Sequence, residues 1–210
     1  MKEREERDAL SDQITLLLLF KALHDLGLPT RRVKLQKLVY FANVLGNMFG
    51  KKITGHEFFV WKYGPFSKQV YSDVELFVTR GWVKATPLSE FEEPDEKSFE
   101  YDITDTGLSK TKKALEDPEF KSKYEIILNS LQATGHLTSG QIKKLSYGEP
   151  EFRKASESGR TTVINSEFPV AHRMADLARK VAENDFHMKL TDDEVALLYL
   201  KLVEALALEK

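Results

Sequence analysis

The stretch Lys34–Trp82, KLQKLVYFANVLGNMFGKKITGHEFFVWKYGPFSKQVYSDVELFVTRGW, constrains this chain more than any other. Its first part predicts a helix over Arg32–Met48, because Leu35, Leu38, Val39, Ala42 and Leu45 recur at helical spacing on one face. Thr54 to Glu57 has the form of a capping box and predicts a short helical turn. Phe58–Tyr63 is apolar on both alternating faces apart from Lys62, which suits an extended segment covered on both sides. Gly64-Pro65 predicts a turn leading into a helix over Phe66–Arg80, which Gly81 ends. That helix turns Phe66, Val70, Val74, Phe77 and Val78 inward, and Lys68, Gln69, Ser72, Glu75 and Thr79 outward.

An earlier helix is predicted over Asp12–Leu26, ended by Gly27 and Pro29, with an LLLLF run that calls for burial. Two strands, Trp82–Thr86 and Phe99–Thr104, follow the Phe66–Arg80 helix. Helix, helix, recognition-type helix and hairpin is the order of a winged helix-turn-helix. Thr104 then caps a helix to Leu115, and helices are predicted at Pro118–Ala133, Ser139–Ser146, Val170–Asn184 and from Thr191 onward. Tyr147–Pro169, with Gly148, Pro150, Gly159 and Pro169, reads as loop. The expected fold is mainly α with a small β-hairpin: a winged-helix-like part over residues 1–116, then a helical extension over 117–210, loop-rich around 147–169.

Composition narrows the functional classes. Apolar residues are 41% of the chain and charged residues 30%, with 13 Phe, enough for a packed core and against global disorder. The absence of cysteine excludes disulfides and thiolate metal sites. The longest apolar run, Ile14–Phe20, is too short to span a bilayer, and the charged start MKEREERDALSD is unlike a secretory signal. A soluble, cytoplasmic protein without a membrane partner is the expectation.

No catalytic signature appears: there is no GxGxxG, Walker A loop, GxSxG or HExxH. The histidines at 24, 56, 136, 172 and 187 have no metal-ligand spacing and are expected at the surface or at caps, and no carboxylate pair stands in a distinctive apolar setting. Neither enzyme activity, metal nor cofactor is expected.

Charge placement bears on nucleic acid. The net charge is −2 and the pI about 6.2, without the basic balance of most nucleic-acid binders. The recognition-type helix offers Lys68 and Arg80 against Asp73 and Glu75. The would-be wing carries Glu90, Glu92, Glu93, Asp95, Glu96, Glu100 and Asp102 against Lys97 alone. Such a wing repels a phosphate backbone, so nucleic acid is left open as a partner but disfavoured. Arg31, Arg32, Lys34 and Lys37 crowd the start of the second helix, where each cation is unfavourable by about 0.3–1 kcal/mol. They form either a solvated basic face or a site for an anionic partner.

KLQKLVYFAN (34–43) followed by FFVWKYGPFSKQVY (58–71) resembles the Panacea domain, the SocA-like antitoxin family, with its KLQKLLYFA-type helix and WxxGP-type turn. The matching positions are Lys34, Leu35, Gln36, Lys37, Leu38, Tyr40, Phe41 and Ala42, then Trp61, Gly64, Pro65, Val70 and Tyr71. A downstream family segment of T-H-x-E-x-P-W type is approached by LSYGEPEFRKA (145–155), which lacks the Thr-His and the Trp. The Tyr63–Ser67 turn also resembles that of the YwgA-like winged-helix proteins. The resemblance implies an antitoxin or proteolytic adaptor that neutralises a partner protein by direct binding, the first candidate being a toxin encoded beside it. On that reading Arg31, Lys34, Gln36, Lys37, Trp61, Tyr63, Gly64, Pro65, Lys68 and Tyr71 shape the partner-binding surface. The alternative is a winged-helix DNA-binding regulator, and a homodimer through the C-terminal helices is left open.

Overall fold

The computed structural model describes residues 5–88 and 99–208. Helix α1 (Glu6–Asp25) leads through the short strand β1 (Thr30–Arg31) into α2 (Arg32–Met48). Strands β2 (Phe59–Trp61) and β3 (Gly64–Phe66) precede α3 (Lys68–Thr79), and β4 (Val83–Pro87) and β5 (Phe99–Ile103) follow it. Six helices follow among the described residues: α4 (Asp105–Ala114), α5 (Pro118–Thr134), α6 (Ser139–Gly148), α7 (Pro150–Glu157), α8 (Pro169–Phe186) and α9 (Asp192–Leu208). The protein is mainly α with a small antiparallel β component.

Helix α2 is the centre of the molecule. Its residues from Lys34 to Gly46 are all buried, because α5, α6, α8 and β3 surround it. The fully buried Leu35, Leu38, Phe41 and Leu45 each contribute about 1.5–3 kcal/mol. The LLLLF run of α1 is buried as expected, and a single apolar cluster extends from Leu16 to Val203. The C-terminal helices therefore share the core of the N-terminal ones.

Two small sheets frame this core. One has the order β1-β5-β4, with Thr30 opposite Tyr101 and Val83 opposite Ile103. The other is the β2–β3 hairpin, with Phe59 opposite Phe66 and Trp61 opposite Gly64. Along the free side of β2 runs residue segment 161–164, with Val60 donating to the Thr162 carbonyl and Ile164 to that of Phe58. Glu100 and Asp102 lie on β5, Glu100 opposite Arg31 and Asp102 3.5 Å from His24. The remaining acids of the wing (Glu90, Glu92, Glu93, Asp95, Glu96) and Lys97 lie outside the described residues.

Several local expectations are corrected by long-range contacts. Thr54 opens no helix: its N–H donates to Asn43 Oδ1 at 2.8 Å, and the Asn43 amide donates to its hydroxyl. Gly64-Pro65 lies in β3, and the turn falls at Lys62-Tyr63. Helix α3 starts at Lys68 with Ser67 as cap. Helix α1 begins at Glu6 and not at Asp12, which is buried and accepts the Gly55 N–H at 2.6 Å. The expected loop 147–169 contains α7, started by Pro150 at its first position and by Glu149 as cap.

Candidate functional site

The turn between β2 and β3 is held from beneath by α2. Gln36 Nε2 donates to the Ser67 carbonyl at 3.0 Å, and the Ser67 N–H donates back to Gln36 Oε1 at 2.9 Å. Lys37 Nζ donates to the Pro65 carbonyl at 2.8 Å. With exposures of 1% and 2%, Gln36 and Lys37 lie below the surface. Lys34 is buried as well. The solvated basic face expected for the start of α2 is thus corrected: the two lysines lie inside, and only Arg31 and Arg32 are half-exposed. Burial of an ammonium costs several kcal/mol unless hydrogen bonds offset it, and the Pro65 carbonyl supplies one.

Gly64 explains why the turn sits so close. Its φ of +93° disfavours any other residue, and an added Cβ would stand 2.7 Å from Ser146 Oγ and 3.1 Å from Lys37 Cε. The turn is therefore locked between α2 and α6.

Above this support lies a half-exposed aromatic ladder. Phe59 meets Trp61 and Phe66 edge-on at 6.1 and 5.2 Å, Trp61 tilts over Phe66 at 5.9 Å, and Phe66 meets Tyr71 edge-on at 5.0 Å. Trp61 is 45% exposed. The Arg32 guanidinium stacks 4.1 Å from the Tyr71 ring centre. Tyr63 has the ammonium groups of Lys62 and Lys143 at 4.9 and 5.0 Å. Lys68 is exposed in the first turn of α3. Beside the ladder, a cleft of about 490 Å³ between α3 and the β4–β5 hairpin is walled by Arg32, Tyr71, Val74, Val78, Ala85 and Tyr101, among others.

Of the residues singled out from sequence, Trp61, Tyr63, Lys68 and Tyr71 reach this face. Gly64 and Pro65 form its floor, Gln36 and Lys37 hold that floor, and half-buried Arg31 stands on β1. Phe59, Phe66 and Lys143 belong to the same face and were missed, and Arg32, singled out only as one of the cations at the start of α2, joins them. Phe59 and Trp61 alternate with the buried Val60, a period-2 signal that could have placed them outward.

Two buried polar centres lie behind the face. His56, expected at the surface or at a cap, and Asp73 are both buried, with His56 Nε2 2.8 Å from Asp73 Oδ2 and Gln13 donating to Asp73 Oδ1 at 3.0 Å. They tie the 54–58 segment to α3 and α1. The carboxylates Glu149 and Glu151 are also buried, against the expectation that none would stand in an apolar setting. Glu149 accepts hydrogen bonds from the Tyr40 hydroxyl, from the Tyr199 hydroxyl at 3.0 Å and from the Phe152 N–H at 2.8 Å. Burial pushes its carboxyl above the ordinary range, and these hydrogen bonds only partly oppose the rise. The same burial, with Glu149 beside them, raises the Tyr40 and Tyr199 hydroxyls well above the usual tyrosine value. Glu149 thus joins α2, α7 and α9.

Among the described residues, no cluster of His, Cys, Asp or Glu could hold a metal ion, and no helix is long and apolar enough to cross a membrane. No curated protein matches the sequence. The model of the antitoxin SocA-like, Panacea domain matches residues 35–152, and the chain belongs to that family. The matched span runs from Leu35 in the first turn of α2 to Phe152 in α7, so it takes in the locked turn, the rings of the aromatic face and Glu149, while Arg31, Arg32 and Lys34 precede it and α8 and α9 lie beyond it.

Proposed function

We propose that this chain is an antitoxin that neutralises a partner protein by direct binding, acting in the cytoplasm as a masking module without turnover. Membership of the antitoxin SocA-like family over residues 35–152 carries the reading. The aromatic face is its proposed contact surface: Trp61, Tyr63, Lys68 and Tyr71 touch the partner, Arg31 flanks them, Lys37 holds Pro65, Gln36 holds the adjoining Ser67, and Lys34 is buried in the same helix. Large aromatic and Arg side chains on a rigid base are the residue types that dominate protein interfaces. The first partner to test is a toxin encoded next to this chain. Residues 117–210 form the helical extension that helps select it, and delivery of the bound toxin to a protease is one way neutralisation could end.

Co-expression tests this reading. A neighbouring gene whose product arrests growth alone should become harmless when this chain is co-expressed, and the Trp61→Ala chain should restore growth markedly less well. Persistent arrest with every adjacent gene contradicts the proposal.

A second reading, a winged-helix DNA-binding regulator, is favoured by one observation. The order helix, β1, α2, α3 and hairpin, with sheet order β1-β5-β4, is that of a winged helix even though β2–β3 intervenes. It calls for binding to a promoter fragment that weakens steeply as salt rises.

A further inference from the structure

We propose that the aromatic face takes an acidic segment of the protein partner, in which carboxylates alternate with aromatic or large apolar side chains. This rests on the antitoxin reading for the existence of a partner, but its chemistry comes from three features of the face itself.

The first is Arg32. Its guanidinium carbon stands over the Tyr71 ring, 4.1 Å from the ring centre, and it has no carboxylate partner among the described residues. Stacking occupies the face of the guanidinium and leaves its N–H edge available to a planar anion. The second is Lys68, exposed one turn before Tyr71 on the same side of α3 and likewise without an ion pair among the described residues. It stands at the amino end of a 12-residue helix whose first turn contains no acid, where an anion is favoured and a cation is not. A carboxylate at this point satisfies the helix end and the lysine together.

The third is the apolar surface that adjoins these cations. Phe66 and the 45% exposed Trp61 continue from Tyr71 on one side, and the cleft of about 490 Å³ opens between α3 and the hairpin on the other. A purely apolar segment laid across this face would strip water from Arg32 and Lys68 without replacing it. A basic segment would find one carboxylate here, Glu75 on the α3 wall of the cleft, and would meet Arg32 and Lys68 directly. An acidic segment with interleaved aromatic side chains pairs the cations and covers the rings.

The probe is the peptide Asp-Glu-Phe-Asp-Leu-Glu-Phe-Asp, with a counterpart in which lysine replaces every acid. Titration into the full chain is followed by calorimetry and by tryptophan emission, since the peptides contain no tryptophan. At low salt the acidic peptide should bind at least tenfold tighter than its lysine counterpart. The double variant Arg32→Glu/Lys68→Glu should weaken it at least tenfold, whereas Lys180→Glu on α8 should leave it unchanged. Glutamate suits the first turns of α2 and α3, so the double variant should keep the wild-type circular dichroism and melting temperature. Equal affinity for the two peptides, no binding of the acidic one, or undiminished binding by the double variant overturns the proposal.

The toxin assay separates this inference from the antitoxin reading. If wild-type chain and double variant neutralise a neighbouring toxin equally well, the acidic-segment proposal falls and the antitoxin reading stands. If no neighbour is neutralised but the acidic peptide binds as described, the antitoxin reading falls and the chemistry of the face stands.

Discussion

Replacing Gly148 by alanine should destabilise the protein by about 3 kcal/mol or more, lowering the melting temperature by roughly 6–12 °C for a chain of this size. Gly148 ends α6 where α9 crosses it backbone to backbone. An added Cβ would stand 2.0 Å from the Val203 carbonyl oxygen and 2.7 Å from the Ala207 nitrogen. Neither atom belongs to a flexible side chain, so α9 has to move away. That movement uncovers Val195, Leu200 and Val203 and draws Tyr199 off Glu149. Gly140 is the control: it is exposed in the first turn of the same helix, with nothing within 4 Å of an added Cβ. There alanine should be neutral or stabilise by up to about 1 kcal/mol through helix propensity alone. Thermal unfolding of the two variants, followed by circular dichroism, makes the comparison.

The second large effect concerns Glu149. Its carboxyl is raised in the folded protein, chiefly by burial. Below the unfolded value of about 4.5 both states hold the proton and nothing changes with pH. Above it the unfolded chain releases the proton first, so folding stability falls as pH rises toward the folded value and then levels off. Glu149→Gln cannot titrate, and the difference between the wild-type and variant pH profiles should show this fall. The glutamine also offers an N–H₂ where the carboxylate accepted a bond. The variant should therefore be weaker by about 1–3 kcal/mol at pH 8, where the wild-type carboxylate accepts from Tyr40, Tyr199 and Phe152 and one buried donor of the variant loses its acceptor. Denaturant unfolding between pH 4 and 8 measures both quantities. A wild-type-minus-variant difference that rises with pH contradicts the assignment.

These two positions matter to function because they fix α9 on the family domain. Tyr40, in the middle of α2, meets Glu149 at the junction of α6 and α7 and Phe168 edge-on at 5.5 Å, while Tyr199 reaches Glu149 from α9. Gly64, on the opposite side of α6, has Ser146 as its nearest neighbour. Helix α6 therefore connects the floor of the aromatic face to the C-terminal helices. A partner that bears on α9 and a partner that bears on the face thus act on elements that both pack against α6.

Periodicity revealed the elements that bury an apolar stripe. The faces of α2 and α3, the LLLLF run of α1 and the hairpin β4–β5 all follow from 3.6- or 2-residue spacing. What was illegible depended on partners distant in sequence. Lys37 looks like a surface lysine until the Pro65 carbonyl, 28 residues on, is placed against it, and Gln36 depends in the same way on Ser67. Thr54 has the local signature of a helix cap, but Asn43 takes its hydrogen bonds. Asp73 stands at the spacing of the buried stripe Val70, Val74 and Phe77, but nothing local shows that His56 and Gln13 will partner a carboxylate there. Helix α7 was hidden for a different reason. Pro150 and Gly148 mark a loop by composition, but proline is also the preferred first residue of a helix, and Glu149 supplied the cap.

The candidate site divides along the same line. Trp61, Tyr63, Gly64, Pro65 and Tyr71 were legible because a family motif carries them. Arg32 was visible only as one cation in a cluster, and its stacking on Tyr71 requires α2 and α3 to be brought together. Phe59 and Phe66 become neighbours only once the β2–β3 register pairs them.

Direct binding through the aromatic face is the central claim. The most direct measurement is calorimetric titration of the purified neighbouring toxin, held inactive by an active-site substitution, into the full chain and its Trp61→Ala variant. Saturable binding to the wild-type chain and at least tenfold weaker binding to the variant are expected, with both chains equally folded by circular dichroism. Equal affinity for both, or no binding to the wild-type chain, would contradict it.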